Sequence, residues 1–203
     1  MAAEEIKKND EEEQLSFEKN VMIYLHDMIY LLAIVMIVFV LLFRIVIVSG
    51  SSMYSTLWNG DWLLVTGSAF YKEPQVGDII VASKDSFNSG EAIIKRVIAT
   101  EGQTVDIDFE KGIVYVDGVA LQEDYTYTPT NVEEGIIFPI TIAEGCIFAM
   151  GDNRNGSRDS RDPSIGMIDK REILGKALFL LFPGTGEGSN IAPRDFDRIG
   201  AID

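Results

Sequence analysis

The chain begins with a polar stretch and then becomes strongly apolar. Residues 1–21 hold seven Asp or Glu against three Lys, a composition that predicts a solvated, largely disordered tail. Met28 to Phe43 is an unbroken apolar run of 16 residues. Shorter apolar stretches on both sides extend it to a segment at 22–48, which is long enough to cross a bilayer. A helix this apolar on all sides is hard to bury in a domain of this size, so the pattern predicts one transmembrane helix rather than a core helix.

Beyond residue 48 the pattern changes to short apolar strands separated by turns. The predicted fold is therefore mainly β: an extended β-sheet domain at 49–182, preceded by one transmembrane helix. Residues 183–203 are rich in Gly and Asp and are predicted to form a loose tail. The predicted strands, of which 136–142 and 146–150 suggest a hairpin, are 61–66, 79–82, 92–99, 104–107, 113–116, 119–121, 136–142, 146–150 and 177–182.

The strand at 92–99 carries two cations among branched apolar residues. Because side chains alternate along a strand, Lys95 lies on one face and Arg96 on the other. One interpretation is an edge strand protected by charge, with Lys95 reaching into water. The other is a lysine held in apolar surroundings, where desolvation lowers its pKa towards that of a usable base. The strand alone does not decide between them.

Composition excludes several kinds of site. The formal net charge of -15 argues against nucleic acid as a partner, since phosphate contacts need clustered cations. Cys146 is the only cysteine, so neither an intrachain disulfide nor a cysteine-based metal site is possible. His26 is the only histidine and starts the predicted span, on the other side of the membrane from everything downstream. A Ser-His-Asp triad and a histidine-rich zinc site are therefore excluded, and no metal or cofactor is expected.

Two polar loops remain as candidates for chemistry. Ser49 to Leu57, directly after the apolar segment, is rich in serine; it is either a simple linker or a loop that places a hydroxyl near the membrane. Gly151 to Arg161 follows a predicted strand and mixes Arg, Asp, Ser and Asn, as in a partly buried network that keeps a site in shape. A serine in such a site needs a base, and a neutral lysine can serve where histidine is missing.

With these loops and the lysine strand in this order, the sequence resembles the bacterial type I signal peptidases, which are membrane-bound Ser/Lys proteases. The similarity runs from the span to about Phe182. The stretches that carry it are Ser49 to Leu57, Gly60 to Val65, Lys95 to Ala99 with Gly102, and Met150 to Arg154 with Ser157, Asp159 to Arg161 and Gly166.

The resemblance implies a role for each matching residue. Ser52, the serine before Met53, would be the nucleophile, and Lys95 the general base. Ser157 would hydrogen-bond the lysine amine and orient it. Two structural ion pairs would brace the site: Asp152 with Arg96, and Asp159 with Arg161.

Three positions depart from the family pattern or vary within it. Ser55 stands where the family usually has proline, and the Arg161–Gly166 spacing is a little longer than in many relatives. Gly50 occupies a position where some members carry a serine that helps to stabilise the oxyanion. With glycine there, as in the Gram-positive branch, backbone N–H groups including that of Ser52 would take this role.

The resemblance thus implies a serine endopeptidase that removes signal peptides from secreted preproteins. It would be a single-pass protein of the cell membrane, with a cytoplasmic N-terminus and an extracytoplasmic catalytic domain. Its partners would be signal peptides and the lipid bilayer. The alternatives are a processing peptidase dedicated to one pilin or surface-protein precursor, and a non-catalytic assembly factor for such a precursor.

Overall fold

The computed structural model describes residues 2–87, 90–186 and 193–202, with side chains of the first helix described at Phe17 and from Lys19 onward. The chain divides into two compact units, Met1–Leu42 and Phe43–Asp203.

The first unit is one long helix, α1, at Ala2–Leu42. The prediction of a disordered tail at 1–21 is therefore wrong for the described residues. Glu and Lys are good helix formers, and extending an existing helix avoids the cost of a new nucleus. Its part Lys19–Leu42, 24 residues, is apolar and long enough to cross a membrane; at 1.5 Å per residue it measures about 36 Å.

The helix ends before the predicted residue 48. Phe43–Ile47 form a strand, β1, which pairs antiparallel with Trp62–Thr66, β2. The apolar pattern of α1 continues through β1, interrupted only by Arg44, and so hides the change from helix to strand. The branched residues Ile45, Val46 and Ile47 favour a strand once a partner strand is present.

The second unit is built from two sheets, and every pairing between its described strands is antiparallel. The larger sheet has eight strands in the order β1-β2-β11-β3-β4-β9-β10, with β12 pairing β11; the smaller has four, in the order β7-β6-β5-β8. The remaining strands are β3 Ile79–Ser83, β4 Ala92–Thr100, β5 Thr104–Asp108, β6 Ile113–Val116, β7 Val119–Ala120, β8 Ile140–Thr141, β9 Cys146–Met150, β10 Ile168–Asp169, β11 Ile173–Phe182 and β12 Gly200–Ala201. The mainly β fold is confirmed.

The suggested hairpin of 136–142 with 146–150 is wrong. Only Ile140–Thr141 is a strand in the first stretch, and it pairs with β5 in the small sheet. β9 instead pairs with β4 and β10 in the large sheet. The connection between β8 and β9 therefore crosses from one sheet to the other.

β4 lies inside the large sheet, between β3 and β9. Lys95 is 4% exposed and Arg96 3% exposed. The interpretation in which Lys95 reaches into water is therefore wrong, and the interpretation of a desolvated lysine is confirmed.

The C-terminal residues are more ordered than the predicted loose tail. Phe196–Arg198 form a short 3-10 helix, and Gly200–Ala201 add a strand to β11. Ile202 packs against the apolar cluster that holds Leu57 and Leu180. Residues 187–192 of the predicted tail lie outside the described residues.

Candidate active site

The serine loop, residues 49–57, is held to the domain by apolar side chains on either side of its turns. Met53 and Leu57 are each 1% exposed and pack in the cluster with Leu63 and Val65 of β2. The Leu57 N–H donates to the Met53 carbonyl at 2.8 Å. Ser52 directly precedes one of these anchors, so its backbone position is set by the core.

Gly50 adopts a conformation that favours glycine. Its φ is +87°, in the left-handed region where a side chain causes strain. Its N–H donates to Asn59 Oδ1 at 2.9 Å. The Gly50 N–H is therefore already used in a contact with the turn after the loop, whereas the Ser52 N–H makes no hydrogen bond to another described residue.

The side chains of Lys95 and Ser52 are in contact. Lys95 Nζ lies 2.9 Å from Ser52 Oγ and also donates to the carbonyl of Ile94 at 3.0 Å. Burial lowers the pKa of the Lys95 ammonium to about 8, although the carboxylates of Asp159, Glu134 and Asp152 act in the opposite direction. An amine with this pKa is neutral in about a tenth of the molecules at pH 7, in about half at pH 8 and in about nine-tenths at pH 9.

A groove with a volume of about 400 Å³ opens beside the two side chains. One wall is formed by the end of β1 and the residues after it, and the other by the start of β4. β9 pairs with β4 only from Arg96 onward, so among the described strands the backbone of Ala92–Lys95 pairs with β3 alone. The lining residues are Val46, Ile47, Val48, Ser49, Ser52, Met53, Phe87, Glu91, Ala92, Ile93, Ile94, Lys95 and Arg158.

The loop after β9, residues 151–161, holds the serine loop by its backbone. Asn153 donates its N–H to the Ser52 carbonyl at 3.0 Å and its Nδ2 to the Ser51 carbonyl at 3.1 Å. A Cβ on Gly151 would lie 2.4 Å from the Ser52 carbonyl oxygen and 2.2 Å from Ser157 Oγ. Only glycine permits this close approach of the two loops.

Arg96 and Asp152 form a bidentate ion pair behind the site. Arg96 Nε and Nη2 donate to the two Asp152 oxygens at 3.0 and 2.9 Å. Thr56 of the serine loop donates its Oγ1 to the same carboxylate at 2.6 Å. The ring of Tyr125 lies 4.1 Å from Arg96 Cζ. This pair therefore links β4 to the serine loop.

Asp159 and Arg161 form a second buried pair. Arg161 Nε and Nη2 donate to the two Asp159 oxygens, both at 2.9 Å, and the Gly151 N–H donates to Asp159 Oδ2 at 3.0 Å. Glu134 joins them, with its Oε1 3.0 Å from Arg161 Nη2. Burial and the nearby Asp159 carboxylate raise the pKa of Glu134 to about 7, with Arg161 opposing.

The role of Glu134 and the ion pair of Arg154 with Glu123 were not predicted from the sequence. Arg154, which is 1% exposed, forms an ion pair with Glu123 and donates to Thr130 Oγ1 at 2.8 Å. Both glutamates come from the polar connection 121–135, which has no regular pattern. The available signal was the count of charges in residues 151–161, which hold three Arg and two Asp. Because Asp152 was already assigned to Arg96, two of these arginines, Arg154 and Arg158, were left to pair with residues elsewhere.

Ser157 does not make the expected hydrogen bond to Lys95. The residue is 6% exposed, and its Oγ has no hydrogen-bond partner among the described residues. It lies close to Gly151 and the Ser52 backbone, so it belongs to the site by position. A buried hydroxyl without a partner is uncommon, and its burial costs stability.

The arrangement contains the elements of nucleophilic catalysis: a hydroxyl, a buried amine beside it, and an open groove. In the part of the chain that the structure describes, no cluster of three or more His, Cys, Asp or Glu side chains could hold a metal ion.

Comparison with known proteins agrees with the geometry. The model of the family described as signal peptidase, peptidase S26, matches residues 21–182. A probable signal peptidase I-1 of Synechocystis sp. is 40% identical over 148 residues, which are 70% of this chain and 72% of that protein. Signal peptidase I of Bacillus amyloliquefaciens is 35% identical over 152 residues, 70% of this chain and 75% of that protein. The crystal structure of a signal peptidase I from Enterococcus faecalis V583 is 31% identical, covers 52% of this chain and 97% of its own, and gives a TM-score of 0.42. The chain therefore belongs to the signal peptidase family, peptidase S26.

Proposed function

We propose that this protein removes signal peptides from exported preproteins with Ser52 as the nucleophile and Lys95 as the general base. The observation that carries the proposal is the 2.9 Å contact between Lys95 Nζ and Ser52 Oγ, at a lysine that burial keeps partly neutral. Family membership supports the peptidase activity. No observation favours the alternatives of a dedicated pilin-processing peptidase or a non-catalytic assembly factor.

The steps of the proposed reaction are defined by which group holds the transferred proton. Neutral Lys95 accepts the Ser52 hydroxyl proton while Oγ attacks the carbonyl carbon of the scissile bond. The lysine ammonium then gives that proton to the leaving amine, the C–N bond breaks, and an ester to Ser52 remains. Lys95 next takes a proton from water, whose oxygen attacks the ester, and returns a proton to Ser52 Oγ. In this proposal the Ser52 N–H, which has no hydrogen-bond partner among the described residues, donates to the oxyanion in both steps.

The groove suggests how a substrate binds. On the side away from β3, no described strand pairs with Ala92–Lys95, and an extended peptide can add to such an edge as a strand. The walls around Ser52 are largely apolar, with Val48, Met53 and Ile93 among them. Small residues at the first and third positions before the cut, as at signal-peptide cleavage sites, would fill shallow depressions there.

Membrane anchoring fits the family and the apolar helix Lys19–Leu42. We further propose a single span with a cytoplasmic N-terminus and an extracytoplasmic catalytic unit. Lys7, Lys8 and Lys19 before the span favour this orientation mildly over Arg44 after it. Signal peptides are themselves membrane-embedded, so an anchored enzyme meets its substrate at the bilayer.

The proposal is tested by cleaving a preprotein with the purified full chain in detergent over a range of pH. Because the base acts neutral and its pKa is about 8, kcat/KM should fall about tenfold per pH unit below pH 8 and level off above about pH 9. Product N-terminal sequencing should show one cut after small residues.

Ser52→Ala, assayed in parallel, should give no product at any pH. A rate that does not change between pH 6 and pH 10 would exclude Lys95 as the base. A midpoint near the ordinary lysine pKa of 10.5 would show instead that burial does not lower the pKa of Lys95 in the working enzyme. Absence of a defined cut with the wild type would overturn the proposed function.

We also propose that Ser157 orients Lys95 during the reaction by taking up one of its N–H donors. Since its Oγ has no partner in the structure, Ser157→Ala should leave the free energy of unfolding unchanged or slightly higher. It should nevertheless lower kcat by about 10²-fold, because a misaligned base transfers protons poorly. Urea unfolding and steady-state kinetics measure the two effects.

Thr128 provides a matched control, since its Oγ1 is also buried without a partner. Thr128→Val should behave like Ser157→Ala in unfolding but keep wild-type kcat. Equal kcat values for Ser157→Ala and the wild type would remove Ser157 from the mechanism.

A further inference from the structure

The segment at 195–202 packs onto the serine loop's side of the large sheet, although the family match ends at Phe182. Asp195 caps the short helix Phe196–Arg198 by accepting the Asp197 N–H at 3.1 Å. Gly200–Ala201 then pair with β11. Ile202 packs against the same apolar cluster as Met53 and Leu57. The segment is thus held at several points.

Arg198 reaches from this segment to the second half of the serine loop and the turn after it. Its Nη1 and Nη2 donate to the two Asp61 oxygens at 3.0 and 2.7 Å. Its Nη2 also donates to the Thr56 carbonyl at 3.1 Å. Its Cζ lies 4.3 Å from the centre of a Trp58 ring. One guanidinium therefore contacts three residues within six positions of the chain.

Asp61 connects these contacts to the rest of the turn. It is 0% exposed and also accepts the N–H groups of Trp58 and Gly184, both at 2.7 Å. A buried carboxylate with this many donors is strongly fixed. Arg198 supplies the only cation within ion-pair distance of Asp61 among the described residues.

Thr56 is consequently held from two directions. Its hydroxyl donates to Asp152 on the side of the Ser52–Lys95 pair, and its carbonyl accepts from Arg198 on the other. Thr56 lies four residues after Ser52, with the turns of the serine loop between them. A shift of Thr56 would therefore move the turn that carries Ser52 relative to Lys95.

We infer that Arg198 is a positioning residue for the nucleophile: by clamping Thr56, Trp58 and Asp61, it acts together with the core anchors and Asn153 to keep the distance between Ser52 Oγ and Lys95 Nζ. The inference rests on the proposed function, because catalysis by Ser52 is what it affects. Arg198 acts through the loop and does not touch the groove. The charges with the largest influence on Lys95 are Asp159, Glu134, Asp152 and Arg161, so the loss of Arg198 leaves the pH midpoint in place.

The experiment compares four variants of the full chain in detergent by preprotein cleavage and urea unfolding. Arg198→Ala should lower kcat by about 30-fold, since a misplacement of about 1 Å can cost up to 10²-fold. Its KM should stay within about twofold and its pH midpoint unchanged. Arg198→Lys, which keeps a charge but cannot contact both Asp61 oxygens and Thr56 together, should lower kcat by about three- to tenfold.

Two controls separate positioning from general stability. Ile202→Ala weakens the packing of the same segment while Arg198 remains, and its kcat should stay within about threefold of the wild type. Arg171→Ala removes an arginine from an exposed pair with Asp169 and should leave kcat unchanged.

Each result supports or overturns the inference. A kcat for Arg198→Ala within about threefold of the wild type, or an equal loss of kcat in Ile202→Ala, overturns it. If Arg198→Ala does not fold, Arg198→Lys decides, and wild-type kcat in that variant overturns the inference. The wild type and Ser52→Ala are measured in the same assay. If the wild type does not cleave the preprotein, or if Ser52→Ala does, the proposed function is refuted and not only the role of Arg198.

Discussion

Replacing Lys95 by alanine is expected to lower kcat for preprotein cleavage by at least about 10³-fold. The chain has no histidine downstream of His26, and Lys95 Nζ is the amine within hydrogen-bond distance of Ser52 Oγ. Without it, the Ser52 hydroxyl keeps its proton and is a poor nucleophile. Steady-state kinetics at pH 9, where the wild-type base is mainly neutral, measures the loss.

The same experiment tests whether Ser52 and Lys95 act as one unit. Ser52→Ala should be as inactive as Lys95→Ala, and the double variant no worse than either, because residues that act together are not additive. Lys111→Met removes a lysine that is 70% exposed and should have no effect. Substantial turnover by Lys95→Ala, or a double variant far slower than both single variants, would contradict the dyad.

Asp159→Ala is expected to destabilise the catalytic unit by about 3–5 kcal/mol. Asp159 and Arg161 are both 0% exposed, and removal of the carboxylate leaves the guanidinium buried with Glu134 as its remaining ion-pair partner. The Gly151 N–H also loses its acceptor, at the point where two loops meet. Activity should fall with stability, since this loop holds the Ser51 and Ser52 carbonyls through Asn153.

Urea unfolding followed by tryptophan fluorescence measures the change. The chain has two tryptophans, Trp58 and Trp62, and both belong to the unit Phe43–Asp203, so the signal reports this unit. Arg171→Ala, in a pair whose arginine is 90% exposed, is the matched ion-pair control and should show no change. A midpoint for Asp159→Ala equal to that of the control would show that the buried network does not support the fold.

The sequence predicted most strands but not where the first one begins. β4, β5, β6 and β9 lie where the alternation of apolar residues predicted them. β1 was missed because its residues continue an apolar run, and a run without alternation does not separate helix from strand. The order of strands in the sheets depends on pairings between distant segments, such as β11 between β2 and β3.

The site was predictable only in part. The elimination of histidine and the family resemblance pointed to Ser52 and Lys95, and the structure places them in contact. The sequence left the burial of Lys95 open, because it depends on the segments that pack over this face of β4, and these come from distant parts of the chain. Glu134 and Glu123 could not be found, because each is defined by an arginine more than 25 positions away.

The sequence by itself determined the apolar span, the mainly β catalytic unit and the need for a base other than histidine. These follow from local periodicity and from residue counts, which do not depend on how the chain folds back on itself. Only the tertiary structure showed that Lys95 is buried, that Ser157 Oγ lacks a hydrogen-bond partner among the described residues, and that Arg198 contacts the serine loop. The pKa of Lys95 and the contacts of Arg198 depend on the residues that surround each side chain. Those residues come from distant parts of the chain.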